Sequence, residues 1–189
     1  SSYSSLKSIK IPSTVENIEP TAFTDSVQLK DVEISADNKA LVYEGGMILD
    51  ADKTKLLLVM PYVKKLQIPA TVTTIGTFAF TGADLVEEVT LPKTVTDVEM
   101  GAFGGCSGLT KLTVLNKKCN IDPSGVTVCQ YYNYEYHDSE KVYTNTRYSG
   151  IIAGYVGSTT EEFAFNNGLK FLDLDTGEVI QKGQCGDDM

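Results

Sequence analysis

One histidine, two short acidic turns, four cysteines and a run of tyrosines are the residues of this 189-residue chain with chemistry to offer. Catalysis by nucleophile and base, or by paired acid and base, needs such groups gathered in a concave site. His137 stands with Asp138 and Glu140 in a polar loop, and no catalytic residue type recurs along the chain, so no enzyme is expected. Asp50-Ala51-Asp52 has the look of a cation loop but lacks the further ligands and the fixed glycine that a calcium loop requires. It reads as a hairpin turn, and Asp173-Leu174-Asp175-Thr176-Gly177 reads as a turn joining two terminal strands. No cysteine pair has C-x-x-C spacing and a single histidine cannot compensate, so no metal and no cofactor are expected. Cys106 reads as a small packing residue, Cys185 sits on a C-terminal tail, and Cys119 and Cys129 are close enough to close a small loop by a disulfide.

Six of the ten tyrosines fall in one stretch: Tyr131, Tyr132, Tyr134, Tyr136, Tyr143 and Tyr148. Tyr132, Tyr134 and Tyr136 alternate as on a strand and would share one face. Such a row is either a platform on which a sugar ring or a peptide stacks, or a set of rings packed over the end of the fold.

The elements that hold these residues come from a phrase stated three times: LKSIKIPSTV from Leu6, VKKLQIPATV from Val63 and VEEVTLPKTV from Val86. An Ala-Phe pair follows each at one offset, as Ala22-Phe23, Ala79-Phe80 and Ala102-Phe103. With unit starts at Leu6, Leu29, Val63, Val86 and Leu109 the spacings are 23, 34, 23 and 23, so the array is regular apart from an insert of 11. A fixed period in this range marks a solenoid. In the fourth unit the apolar positions are Val86, Val89, Leu91, Val95, Val98 and Phe103. Alternation across Val89 and Leu91 predicts a strand, and the following proline ends it. Each unit therefore starts with one short strand, and stacked units form one parallel sheet with turns or short helices on the opposite wall and Phe23, Phe80 and Phe103 as an internal spine. The insert, about residues 38–62, reads as an antiparallel meander of Leu41–Tyr43, Met47–Leu49 and Lys55–Val59 with turns at Glu44-Gly45-Gly46 and Asp50–Thr54.

Outward positions of the sheet read Ser8, Asp31, Lys65, Glu88, Lys111 in one column and Lys10, Glu33, Gln67, Thr90, Thr113 in the next. Solenoids bind partners on such a face, which makes Asp31, Glu33, Lys65, Gln67, Glu88 and Thr90, with the tyrosine row, the candidate partner-binding residues. The alternating signs of Asp31, Lys65, Glu88 and Lys111 predict a ladder that compensates its own charge.

The pattern L-x-x-I-x-I-P-x-x-V-x-x-I-x-x-x-A-F resembles the BspA-like, treponemal-type leucine-rich repeat of bacterial surface and secreted proteins, over residues 6 to about 115. The stretch IIAGYVGSTTEEFAFNNGLKF, Ile151 to Phe171, is similar to the segment that closes such arrays, which implies a C-terminal α/β cap. Within it Ser158 and Glu161 form a capping box and Asn167-Gly168 a helix stop. The second unit departs from the pattern, with Ser35 and Asn38 in place of proline and valine. The expected organisation is an array over residues 1–115, a continuous tyrosine-rich segment and cap over 116–183, and a tail over 184–189 leading to a further module. Tyr3-Ser4-Ser5-Leu6 aligns with the unit junction Cys106-Ser107-Gly108-Leu109, so the chain is expected to be cut from a longer array, with any signal or anchor outside it.

A net charge of −9 argues against nucleic acid or anionic membrane as partner. The longest apolar run, Leu56–Met60, stops at Pro61, so no membrane insertion is expected. The resemblance implies an extracellular or cell-surface location and adhesion. The expectation is a monomeric, non-catalytic module that recognises a protein or glycan, with a ligand-free structural spacer as the alternative.

Overall fold

The computed structural model describes residues 5–24, 26–124, 126–128, 131–137, 140–146 and 148–181, the side chains of 131–137 and 140–146 excepted. The chain is a solenoid, and its fourth unit shows how the sequence winds one coil. Strand β7 (Glu88–Leu91) buries Val89 and Leu91 and turns Glu88 and Thr90 outward. Pro92 then stops the strand, and its carbonyl accepts the N–H of Val95 at 3.0 Å. The same Pro-to-Val turn recurs at Pro12–Val15 and Pro69–Val72. A two-residue strand, β8 (Asp97–Val98), follows, and then a turn in which Ala102 N–H bonds Glu99 C=O at 3.1 Å and Phe103 is driven inside. All six repeating apolar positions of this unit are buried.

The other elements, in chain order, are β1 (Ser8–Ile11), β2 (Asp31–Ile34), β3 (Leu41–Glu44), β4 (Met47–Asp50), β5 (Lys55–Val59), β6 (Thr74–Ile75), β9 (Lys111–Val114), β10 (Asn120–Ile121), β11 (Tyr131–His137), β12 (Glu140–Thr146), β13 (Ile151–Gly154), α1 (Thr159–Asn166), β14 (Lys170–Asp173) and β15 (Val179–Ile180). Coils are joined along three lines. The front strands pair in parallel, as in Glu88↔Lys111 of β7 and β9. On the opposite wall β5, β6, β8 and β10 form a second parallel ladder that aligns Leu56, Ile75, Val98 and Ile121. Along the Ala-Phe turns, Phe80 N–H bonds Ala102 C=O and Phe103 N–H bonds Thr127 C=O, both at 2.9 Å. The turns are not helical, and the opposite wall is built partly of strand, which the sequence pattern did not predict.

The front wall is divided, where one sheet was expected. β1 and β2 pair only with each other, whereas β7, β9, β13, β14 and β15 form a separate sheet. The third unit's segment Lys65–Ile68 takes part in neither. The break falls at the insert. Its meander β3–β4–β5 enters the opposite wall, where β5 stands as the return strand of the second coil. The chain leaves it at Met60, through a turn closed by Val63 N–H to Met60 C=O at 3.1 Å. It then runs on without strand pairing to β2 or β7, held by the buried side chains of Val63 and Ile68.

The fifth coil runs past residue 115 to Val128, which bridges Phe103 in parallel. The hairpin β11–β12 follows, with Tyr134 opposite Tyr143. The cap then repeats the opening of a coil. Ile151 N–H bonds Thr110 C=O as Lys111 N–H bonds Glu87 C=O one coil earlier, and glycines stand at two different tight places nearby: a Cβ would lie 2.0 Å from Asp84 O at Gly108 and 2.3 Å from Thr110 O at Gly150. Where a return strand would follow β13, the chain forms α1. Ser158 is the N-cap and accepts Glu161 N–H, while the Glu161 carboxylate accepts Gly157 N–H at 2.7 Å, one residue earlier than a reciprocal capping box. Thr159 ties this end to the fifth coil, its hydroxyl donating to Cys119 C=O at 2.6 Å. Phe163 and Ala164 close the core, and β14–β15 with the Asp173 turn completes the cap.

One core runs through the stack. Phe80 and Phe103 meet at 4.5 Å between ring centres, and Phe23 is buried as well. Phe103→Ala should lose about 3–5 kcal/mol of stability. Gly108→Ala, an addition of one methyl, should lose about 1–3 kcal/mol because the atom it meets is backbone. Urea unfolding followed by circular dichroism measures both; an unchanged midpoint in either would contradict the stacking described.

Candidate functional site

A candidate recognition surface among the described residues lies on the β1–β2 ribbon. Parallel register sets Ser8 beside Asp31 and Lys10 beside Glu33, all facing outward, while Ile9 and Val32 between them turn inward to the core and are half-buried. Lys10 Nζ lies 2.8 Å from Glu33 Oε2, and the two side chains are 81% and 65% exposed. A pair this open is screened by solvent and adds little to stability. The hydrogen bond and charge of Glu33 raise the Lys10 ammonium above its ordinary value. At one end of the ribbon Tyr43, from the insert, shares a hydroxyl–hydroxyl hydrogen bond with Tyr62. Partial burial first, then Tyr62 and the Asp31 carboxylate, push the Tyr43 phenol well above its ordinary range, so it keeps its proton. Two hollows result. One of about 320 Å³ lies among Ser8, Lys10, Lys30, Asp31, Glu33 and Tyr43. The other, of about 400 Å³, runs along Pro12, Ser35 and Ala36, and the Lys10–Glu33 pair borders both.

Of the sequence-derived candidates, Asp31 and Glu33 stand in this surface. Lys65 and Gln67 are exposed but lie on the unpaired third segment, so Lys65 has no strand register with Asp31. Glu88 and Thr90 lie on β7 in the other sheet, and Glu88 is the register partner of Lys111. The expected alternating charge ladder is therefore broken: among the described residues the ion pairs are Lys10–Glu33, Lys53–Glu44 and Lys55–Glu99. Tyr132, Tyr134 and Tyr136 lie on β11 opposite Asn145, Tyr143 and Lys141, with His137 opposite Glu140 at its end; their side chains are outside the described part. Asp138, Cys129 and Cys185 are also outside the described residues. Cys119 is buried, and burial with the Asp97 charge pushes its thiol up to about 12. Cys106 is fully buried, with Sγ 3.4 Å from Ala83 O in the preceding coil.

The acidic turns are engaged internally. Asp50 Oδ1 accepts the N–H groups of Thr54 and Lys55 at 2.6 and 2.8 Å, and Oδ2 the Thr54 hydroxyl at 2.7 Å. Asp173 accepts the N–H groups of Asp175 and Thr176 and the Thr176 hydroxyl.

Four features escaped the sequence reading. Asn38 holds the root of the insert: its amide donates to Pro12 C=O and Val15 C=O at 3.0 and 2.9 Å, and its Oδ1 accepts from Ala40 and Leu41 N–H at 2.9 Å. Its replacement of valine in the unit alignment was the available signal. Lys55 and Glu99 form a 2.6 Å ion pair from the insert to the fourth coil, at a separation with no periodic cue. On the second ladder a groove of about 370 Å³ runs along Thr74, Asp97, Glu99, Met100, Asn120 and Asp122. Beside it, Phe78 has φ +55° where the equivalent Gly101 of the next coil has +64°, and its ring lies where a Gly101 Cβ would be. A phenylalanine at a glycine position of the repeat was legible in the alignment.

Comparison with known proteins gives the chain its relatives. A family model for the BspA type leucine rich repeat region matches residues 1–43 and 60–149 in six copies. Among solved structures, a leucine-rich repeat protein from Eubacterium ventriosum is 22% identical, with a TM-score of 0.42, covering 59% of this chain and 43% of its own. The pneumococcal vaccine antigen PcpA is 14% identical, with a TM-score of 0.44, covering 89% of this chain and 54% of its own. The chain thus spans about half the length of each, or less. No curated protein matches. No helix among the described residues is long and apolar enough to cross a membrane.

Acid sensitivity follows from the engaged carboxylates. Burial tends to raise Asp50, but hydrogen bonds from Lys55 and Thr54 outweigh it, so its carboxyl sits below the ordinary 3.8. For Glu99, burial is outweighed by the Lys55 ammonium and by the Thr77 hydroxyl and N–H, leaving it below 4.5. A lowered folded pKa gives stability that is present above the unfolded value and lost as pH falls through the folded one. Urea midpoints should therefore hold from neutrality down to about pH 5 and fall below about pH 4. Asp50→Asn should be less stable at neutrality and show a shallower acid decline; an identical slope would exclude this role for Asp50.

Proposed function

This chain belongs to the BspA-type leucine-rich repeat family, and from that we propose that it is a recognition module of a bacterial surface or secreted protein, binding a protein or glycan without catalysis. The observation that carries the reading is the β1–β2 face, where polar side chains fixed in strand register border two adjoining hollows. The sheet supplies what recognition needs: outward groups whose spacing is set by backbone pairing, at little conformational cost on binding. The described carboxylates with lowered pKa are engaged in turns or ion pairs, and the two described thiols are buried, which favours binding over chemistry. Partner specificity extends along the β11–β12 hairpin, with Tyr132, Tyr134 and Tyr136 as contacts, and the module acts as a monomer outside the cell.

A ligand-free spacer is the competing reading, favoured by ion pairs that satisfy themselves at Lys10–Glu33 and Lys55–Glu99. Binding of the purified chain to a panel of extracellular-matrix proteins and to a glycan array, at physiological salt, separates the two. Saturable binding that weakens in a double Glu33→Gln, Lys10→Gln variant of unchanged melting temperature is the expected result. No binding on either panel would favour the spacer.

A further inference from the structure

We propose that the β1–β2 face, with Tyr43 at its end, is a binding site for an uncharged saccharide laid across the Lys10–Glu33 pair. This rests on the recognition reading above and names its ligand class. The first argument is charge. The surface holds two cations, Lys10 and Lys30, and two anions, Asp31 and Glu33, so it cancels locally although the chain carries −9. An anionic ligand would meet two carboxylates and the field of an acidic protein, and a cationic one would meet two ammonium groups. A neutral ligand meets neither obstacle.

The second argument is hydrogen-bonding capacity. Ammonium groups only donate, carboxylates only accept, and the Ser8 hydroxyl does both. Paired strands stand about 4.8 Å apart and successive outward residues about 6.8 Å apart, so donors and acceptors alternate over a small flat area. A sugar ring carries hydroxyls that donate and accept along its rim, and a polyol is the uncharged ligand that can use such a mixture throughout. Each sugar hydroxyl bonded to a charged side chain gains from the charge-assisted bond. The Lys10–Glu33 pair is exposed and weak, so its atoms can turn to a ligand at small cost.

The third argument is shape. Ile9 and Val32 also line the first hollow between its outward polar groups, but their side chains pack inward against the core. The Tyr43 ring borders this hollow, and the hydrogen bond to Tyr62 fixes that ring before any ligand arrives. At about 320 Å³ the hollow is at the small end of ligand sites, and it shares Lys10 and Glu33 with a second of about 400 Å³. Two shallow hollows in line suit an oligosaccharide entering from the side. An added peptide strand is a poorer fit, because the outer edge of β1 is guarded by Lys7 and Lys10, charges that discourage strand addition.

The test is an array of galactose-, glucose-, mannose- and N-acetylhexosamine-ended neutral oligosaccharides, with sialylated and sulfated ones beside them. It is run next to the matrix-protein panel and followed by calorimetry on the best neutral hit. The expected result is saturable binding to a neutral oligosaccharide that changes little as salt is raised, since no net charge is exchanged. It should weaken about tenfold in Asp31→Asn, the loss expected for one hydrogen bond to a charged group. Tyr43→Phe, which keeps the ring and releases it from Tyr62, should weaken it less, and thermal unfolding confirms that both variants are folded. Binding confined to charged glycans, or to a protein through Asp31, would overturn the saccharide inference and leave the recognition reading standing. Neutral-glycan binding indifferent to both substitutions would overturn the assignment to this face. Silence on every panel would overturn both readings.

Discussion

Everything in this molecule depends on one coil lying on the next at hydrogen-bonding distance. A single coil has no inside: its Val, Leu and Phe side chains become a core only when another coil covers them. That closeness sets the sequence. Gly108 and Gly150 are glycines because the carbonyl of the preceding coil occupies the place of a side chain. The threonines at coil edges serve the same end, with Thr96 and Thr110 hydroxyls donating to the carbonyls of Thr73 and Glu87, both 23 residues earlier. Once the spacing holds, the apolar positions align and Phe80 stacks on Phe103 without further instruction.

The proposed binding surface is a by-product of the same constraint. Side chains that point inward are fixed by packing, so their outward neighbours are fixed in number and spacing while their chemistry is free. On β1 and β2 that freedom yields Ser, Lys, Asp and Glu in a balanced set, and the insert brings Tyr43 to its border. The opposite wall spends its freedom differently, on Thr74, Asp97, Glu99 and Asp122 with Phe78 and Met100 half exposed beside them. Two faces of one coil can thus carry unrelated surfaces.

The parts legible in the sequence are those governed by local pattern. The period placed the strands and the buried positions, Gly45 and Gly46 marked the hairpin that their positive φ values of 59° and 82° confirm, and Ser158 with Asn167-Gly168 bounded the cap helix. The parts that were not legible depend on where distant segments meet. Val63, Leu66 and Ile68 have the same apolar spacing as the paired units, yet the segment, which follows the insert, joins no ladder. Asp31 and Glu33 were named from the period, whereas Tyr43 joins them through Tyr62, nineteen residues along the chain, a contact no repeat alignment contains.

The divided front wall has a mechanical consequence. Coils two to four are stitched at the back by β5, β6 and β8, and along the turns by Val59 N–H to Ala79 C=O and Phe80 N–H to Ala102 C=O. At the front, β2 and β7 have no strand between them. A rod fastened on all sides resists bending equally, but one left unfastened along a single side has a preferred direction of flexure. Force applied to the ends of this module will open it at the third coil, with the back ladder as the pivot. The β1–β2 ribbon and the β7–β9 sheet will then tilt apart as two rigid plates.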